Sequence, residues 1–128
     1  MVETFVKKVY IAGQQGEIDV DTLATETTVT GEIDTGSTSS PVTILTPGSG
    51  NKISTRSVYL GTNSTSGEIS IYFANTGTLL GKIYCNKFAM VTLDSVHIVG
   101  QTDESVQISW SGLDTGAKIF YVIRYKEE

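Results

Sequence analysis

Apolar residues in this chain recur with a period of two, in short runs separated by turn chemistry. In "GEISIYF", Ile69, Ile71 and Phe73 fall on one face and Glu68, Ser70 and Tyr72 on the other, the alternation of a half-buried strand. "SVQISW" places Val106, Ile108 and Trp110 on one face in the same way. "PVTIL" opens with a proline, which suits a strand start or an edge. "KISTRSVYL" and "TLLGKIYC" are further extended runs. "VTLDSVHIVG" changes its apolar phase between Leu93 and Val96, which predicts a bulge near Asp94 and Ser95. "KIFYVIRYKEE" is apolar on both faces from Ile119 to Ile123, so it belongs mid-sheet or under a partner subunit. "TPGSGN", "ANTG", "QTDE" and "SGLDTGA" supply turns between these runs. Residues 57–73, "SVYLGTNSTSGEISIYF", join two such runs through a Gly/Thr/Asn/Ser link and read as a β-hairpin.

Seven to nine short strands with turns about every ten residues predict an all-β sandwich or barrel. An eight-strand jelly roll fits the strand count. The immunoglobulin-like alternative lacks its Cys and Trp framework here. The expected fold is therefore a jelly-roll-like antiparallel β-sandwich of about eight strands, over residues 41–128, with an extended N-terminal arm.

Residues 1–40, read as an N-terminal strand followed by an acidic Thr/Ser/Gly-rich arm, differ in character. No basic residue occurs between Lys8 and Lys52, while Glu17, Asp19, Asp21, Glu26, Glu32 and Asp34 all fall in that interval. Residues 12–40 read as an acidic, Thr/Ser/Gly-rich arm with one short strand near "TTVTGEI" and a helical turn around "DVDTLA" that Asp would cap. Gly-Glu-Ile occurs at Gly16, Gly31 and Gly67, with unequal spacings and different flanks. That is reused strand-entry chemistry, not a structural repeat.

Charge narrows the partners. The 128-residue chain has a formal net charge of −5 and a pI near 4.8. Nucleic-acid binding needs a basic stripe, and docking on an anionic membrane needs basic clusters, so neither is expected. No apolar run is long enough for a membrane helix, and the start "MVETFVKKVYIAG" carries no secretory signal pattern. The lone Cys85 suits synthesis in a reducing cytoplasm.

Candidate chemistry is sparse. Asp-Thr-Gly occurs twice, in "IDTGSTSS" at Asp34 and "LDTGA" at Asp114. The first resembles pepsin-like proteases and the second retroviral-type ones, and "HIVG", well downstream of Asp34, resembles the apolar-apolar-Gly stretch that retroviral-type proteases carry. Such enzymes bring two carboxylates together to share a proton. Two triplets 80 residues apart in so short a chain fit neither plan, and Asp-Thr-Gly is also ordinary turn chemistry. His97 is the sole histidine, which removes a His-rich metal site; it reads as a half-buried strand residue. Asp19 and Asp21 with Glu17 lack the Gly and terminal Glu of a calcium loop and read as a solvated acidic face. Cys85 reads as a small core residue. "GSGNK" lacks P-loop spacing, and no cofactor is expected. Asn63 matches the glycosylation triplet, without a signal peptide to give it meaning.

Aromatic residues are the remaining resource. Tyr59, Tyr72, Tyr84, Tyr121, Tyr125 and Trp110 would serve protein interfaces or stack on sugars. Tyr72 lies on the polar face of its strand, whereas Trp110 shares a face with Val106 and Ile108 and reads as core. The expected partner-binding surface comprises Tyr72, Tyr121 and Tyr125, with Asp19 and Asp21 on the arm.

"RSVYLGTNSTSGEISIYF", "GKIYCNKF" and "KIFYVIRYKEE" carry a resemblance, over residues 52–128, to small virion accessory proteins of tailed phages and prophages. The resemblance implies a β-sandwich that trimerises on a capsid or tail, with the stretch before Pro41 reaching along a neighbouring shell protein. The expectation is a non-enzymatic phage virion protein, foremost a capsid decoration (cement) protein. It would be made in the host cytoplasm and act as a homotrimer on the major capsid protein or another virion protein. The alternatives are a tail or fibre receptor-binding domain, a carbohydrate-binding module with a glycan ligand, and, remotely, an aspartic protease.

Overall fold

The computed structural model describes residues 26–86, 90–94 and 97–128. These residues form eight strands: β1 (Thr27–Asp34), β2 (Val42–Leu45), β3 (Ile53–Thr62), β4 (Glu68–Phe73), β5 (Leu79–Tyr84), β6 (Met90–Asp94), β7 (Val106–Ser111) and β8 (Lys118–Glu127). Pairing follows a simple rule: strand n lies antiparallel to strand 9 − n, giving β1 with β8, β2 with β7, β3 with β6 and β4 with β5. The chain is thus one long doubled ribbon. Rolled up, the ribbon adds the contacts β3 to β8 and β4 to β7. Two four-stranded sheets result, ordered β1-β8-β3-β6 and β2-β7-β4-β5. This is the jelly roll, in which two antiparallel sheets bury their inner faces against each other.

The inner faces are the period-two apolar positions. Ile69, Ile71 and Phe73 from β4, Val106 and Ile108 from β7, Val58 and Leu60 from β3, and Ile119 and Ile123 from β8 form one buried cluster. Gly100 is required by this packing: a Cβ there would lie 2.6 Å from the Phe73 ring. β8 lies between β1 and β3, the mid-sheet place its two-sided apolarity predicted.

Residues 57–73 are not a hairpin. β3 and β4 belong to different sheets, and the link between them crosses from one sheet to the other. Period-two alternation fixes which face is buried but not which strand is the neighbour. The link is a corner held by its own polar groups. Asn63 Oδ1 accepts from Lys118 N at 2.8 Å, and Thr62 Oγ1 donates to Lys118 O at 2.8 Å. Gly67 leaves the corner with φ +88°, and a Cβ on it would meet the Gly112 and Ser111 backbone. The tight hairpin is β4–β5, closed by Phe73 N to Thr78 O at 2.9 Å and by Gly77 at φ +74°.

The strand expected near "TTVTGEI" is β1, paired along its whole length with β8, so the sandwich takes in residues ahead of Pro41. Glu26, just before β1, bridges Arg56 and Arg124, each at 3.3 Å. The rest of the acidic arm, with Asp19, Asp21 and the helical turn around "DVDTLA", lies outside the described residues, as does Ser95 of the expected bulge. His97 follows β6 instead of lying in a strand; it is exposed, with Nε2 3.0 Å from Ser54 Oγ.

Glu104 organises one end of the sandwich. It is fully buried, yet its carboxylate has a donor for each oxygen. Oε1 accepts from Gln101 N at 2.8 Å, and Oε2 accepts from Thr76 N at 2.5 Å and Thr76 Oγ1 at 2.9 Å. Burial pushes its pKa up, but the N–H groups of Gln101, Thr76 and Asn75 and the Thr76 hydroxyl outweigh burial and hold it below the ordinary glutamate value. The residue fastens the β4–β5 turn to the segment entering β7.

Candidate functional site

Two surfaces and one cavity emerge from this scaffold. The first is the outer face of the β1-β8-β3-β6 sheet. On β8, Phe120 and Val122 point away from the core and remain 47% and 37% exposed. Their cross-strand neighbours are Glu32 and Thr30 on β1, and Gly61 and Tyr59 on β3. The Tyr59 ring folds over Gly61, with a Cβ at that glycine 3.1 Å from its hydroxyl. The centre of this face is therefore low and apolar. Glu32 and Arg124 border it with opposite charges.

The second surface is the outer face of the β2-β7-β4-β5 sheet, polar at its centre and with Leu79 exposed on its edge strand β5. Tyr72 Oη donates to Gln107 Oε1 at 3.2 Å, and Gln107 Nε2 donates to Thr43 Oγ1 at 3.2 Å. Lys82 pairs with Glu68 at 2.9 Å and lies 5.1 Å from the centre of the Tyr84 ring. Hydrogen bonding to Glu68, then to Tyr84, raises the Lys82 pKa. Tyr84 is 72% exposed, the most open of the large apolar side chains on the described surface.

The cavity, about 400 Å³, lies at one end of the sandwich between the two Asp-Thr-Gly turns, against Trp110 and Leu113. Strand register brings the triplets together: β1 ends at Asp34 opposite Lys118, where β8 begins. Thr35 then bonds Ala117 O through both its N–H, at 3.1 Å, and its hydroxyl, at 2.6 Å. Yet the two carboxylates serve separate turns. Asp34 Oδ1 accepts from Gly36 N at 2.9 Å, closing its own loop. Asp114 accepts from Thr65 N at 2.6 Å and Thr65 Oγ1 at 2.8 Å on Oδ2, and from Ser66 Oγ at 2.9 Å on Oδ1. These bonds, the Thr65 N–H foremost, lower the Asp114 pKa. The second triplet is the latch that welds the β3–β4 corner to the β7–β8 loop.

The remaining sequence candidates divide by burial. Tyr72 is on an outer face, as expected. Tyr125 is not a surface residue: it is 9% exposed and part of the core, and burial followed by the Glu127 charge raises its pKa. Tyr121 also turns inward, because its ring occupies the space left by Gly31 directly across the sheet. Cys85 is partly buried against the core, and that burial, then the Asp114 charge, raises its thiol pKa. This is the opposite of nucleophile activation. Trp110 shares the inward phase of Val106 and Ile108 but lies at the strand end, so it is only half-buried and lines the cavity. Phe120, Val122 and Glu104 are what sequence reasoning missed. The two-sided apolar run was the available signal for the first two. Among the described residues, no group of three His, Cys, Asp or Glu side chains is placed to hold a metal ion.

No family model and no curated protein sequence matches this chain. Among solved structures, it is similar to a chain of the virus-like particle of the extra small virus of the giant freshwater prawn Macrobrachium rosenbergii. The identity is 14%, over 98% of this chain and 90% of that one, with a TM-score of 0.42. The jelly-roll assignment rests on the strand pairing itself, which makes the chain a two-sheet antiparallel β-sandwich.

Proposed function

We propose that this chain is a phage virion structural protein, a capsid decoration (cement) protein that binds and stabilises the shell by surface contact and performs no catalysis. The observation that carries this reading is the apolar centre of the β1-β8-β3-β6 outer face. An antiparallel sheet whose outer face meets water normally alternates to polar residues there. Here the central strand presents Phe120 and Val122 instead. Full burial of a large apolar side chain contributes about 1.5–3 kcal/mol; Phe120 and Val122 have roughly half or less of that still to gain, which makes the pair the centre of an interface that surrounding contacts complete. The sequence resemblance to virion accessory proteins points the same way. Homotrimer formation belongs to the proposal, since closed symmetry repeats one patch around an axis.

The test is co-sedimentation with purified capsids of the phage that encodes the chain, or of its prophage. Wild-type protein pellets with shells at a fixed ratio to the major capsid protein. Phe120→Asp stays in the supernatant. Wild-type protein that never pellets, or a variant that pellets equally, sinks the proposal.

A further inference from the structure

The apolar centre of the β1-β8-β3-β6 outer face is flanked by charge in a fixed order along its strands. Towards the end of β8 lies Arg124, with Thr28 and Ser57 as its cross-strand neighbours. Arg56 joins it through a bulge. The register of β3 on β8 shifts between Thr55 and Ser57, so Arg56 is the extra residue, and such an insertion re-aims a side chain. Its guanidinium donates to Ser54 Oγ at 2.7 Å and to Thr55 O at 3.2 Å. Glu26 lies between the two guanidiniums, 3.3 Å from each. Two cations against one carboxylate leave this end positive.

The other end is negative. Glu32 is the β1 neighbour of Phe120, and Asp34 is the β1 neighbour of Lys118. Both acidic residues are exposed, and they set two carboxylates against one cation. Strands rise about 3.3 Å per residue, so Arg124 stands roughly 13 Å along β8 from the Phe120–Glu32 pair. Val122 lies between them. The face is thus positive, apolar and negative in that order. A partner of uniform charge would set like charges opposite one end, which costs affinity.

We propose that the shell surface bound by this face carries the reverse order: a carboxylate that meets Arg124 and Arg56, an apolar side chain on Phe120 and Val122, and a basic side chain that meets Glu32, with the two charges roughly 13 Å apart. The inference rests on the shell-binding reading, and it fixes the direction in which β8 lies on the shell. Arg124 and Glu32 border the apolar pair, where contact excludes part of the solvent and weakens screening. The Arg56 guanidinium is already held by Ser54 and Thr55, so it loses little freedom on binding.

The experiment is co-sedimentation of charge variants of the full chain with purified capsids, each variant first shown to be folded by its thermal melt. Arg124→Glu and Glu32→Lys should each bind at least ~10-fold more weakly than wild type. The two combined keep the net charge and reverse its order, and should again bind at least ~10-fold more weakly. Arg124→Gln with Glu32→Gln also keeps the net charge, without crowding Glu26, and should bind more weakly and lose the salt dependence of wild type. Wild-type affinity in both double variants, with Phe120→Asp still defective, overturns the inference and leaves shell binding standing. Wild type that never pellets overturns both. The order of charge is also complementary to itself when one copy is turned end for end. A dimer of the free chain that each single reversal dissociates and the combined reversal restores would therefore assign the face to a second copy and overturn the inference.

Discussion

The outer faces of the two sheets are built from strands of the same alternation, yet they differ in kind. On the β2-β7-β4-β5 face, Tyr72, Gln107 and Thr43 are joined by hydrogen bonds, and Lys82 is joined to Glu68. Its outward groups bond one another across the strands. On the β1-β8-β3-β6 face, Phe120 and Val122 stand at the centre. Thr30 and Tyr59 flank Val122, and Glu32 and Gly61 flank Phe120. The first face is polar at its centre and exposes Leu79 and Tyr84 only on its edge strand β5, while the second leaves apolar area uncovered at the middle of its sheet. One fold thus separates a solvated face from a sticky one by the identity of a few outward positions, with the core unchanged.

That difference is sharpest along β8 itself, where neighbouring residues face opposite ways. Ile123→Ala removes a fully buried side chain and should cost about 2–5 kcal/mol in urea unfolding. Phe120→Asp, three residues earlier on the outer side, should cost less, about 1 kcal/mol, because Asp suits a strand poorly and meets Glu32 directly across β1. It should nevertheless weaken shell binding by at least ~10-fold, or about 1.4 kcal/mol. If Phe120→Asp unfolds the protein as Ile123→Ala does, Phe120 is core and the contrast between faces fails.

Acid should act on the two sheets unequally. The folded pKa of Glu104 lies below its unfolded value near 4.5, so its contribution is present in full above that value. It is lost as pH falls through the lower, folded pKa. Glu104 fastens the β4–β5 turn. Hydrogen exchange should therefore show amides of β4 and β5 losing protection below about pH 4.5 before those of β1 and β8. Glu104→Gln should lower stability at neutral pH and flatten this acid dependence; equal loss in both sheets would assign the acid limb to other groups.

On the polar face the effect is confined to stability. Tyr72→Phe deletes one hydrogen bond of 3.2 Å, at about 0.5–1.5 kcal/mol. Shell binding by this variant should match wild type, since Tyr72 lies on the opposite sheet.

Much of this architecture was legible in the sequence, because each strand states its buried face through alternation. Ile69, Ile71 and Phe73 are buried as a set for that reason. Partner choice was not legible. The run 57–73 has the pattern of a hairpin, and only the rolled ribbon shows that its halves belong to different sheets. Tyr121 and Tyr125 were misplaced because β8 is apolar on both faces, which erases the phase that would have marked them inward. The proximity of the two Asp-Thr-Gly turns depends on β1–β8 register across more than eighty residues of sequence. Glu104 looked like one more turn residue in "QTDE", since nothing local reveals that Thr76 and Gln101 converge on it.

The central claim, that the apolar face of the first sheet holds this protein on a virus shell, is tested most directly by quantitative co-sedimentation of wild type and Phe120→Asp with the same capsids. Saturable wild-type binding at a fixed ratio to the major capsid protein is expected, with at least ~10-fold weaker binding by the variant at a temperature where both proteins are folded. A folded variant that binds as well as wild type, or a wild type with no affinity for the shell, would contradict it.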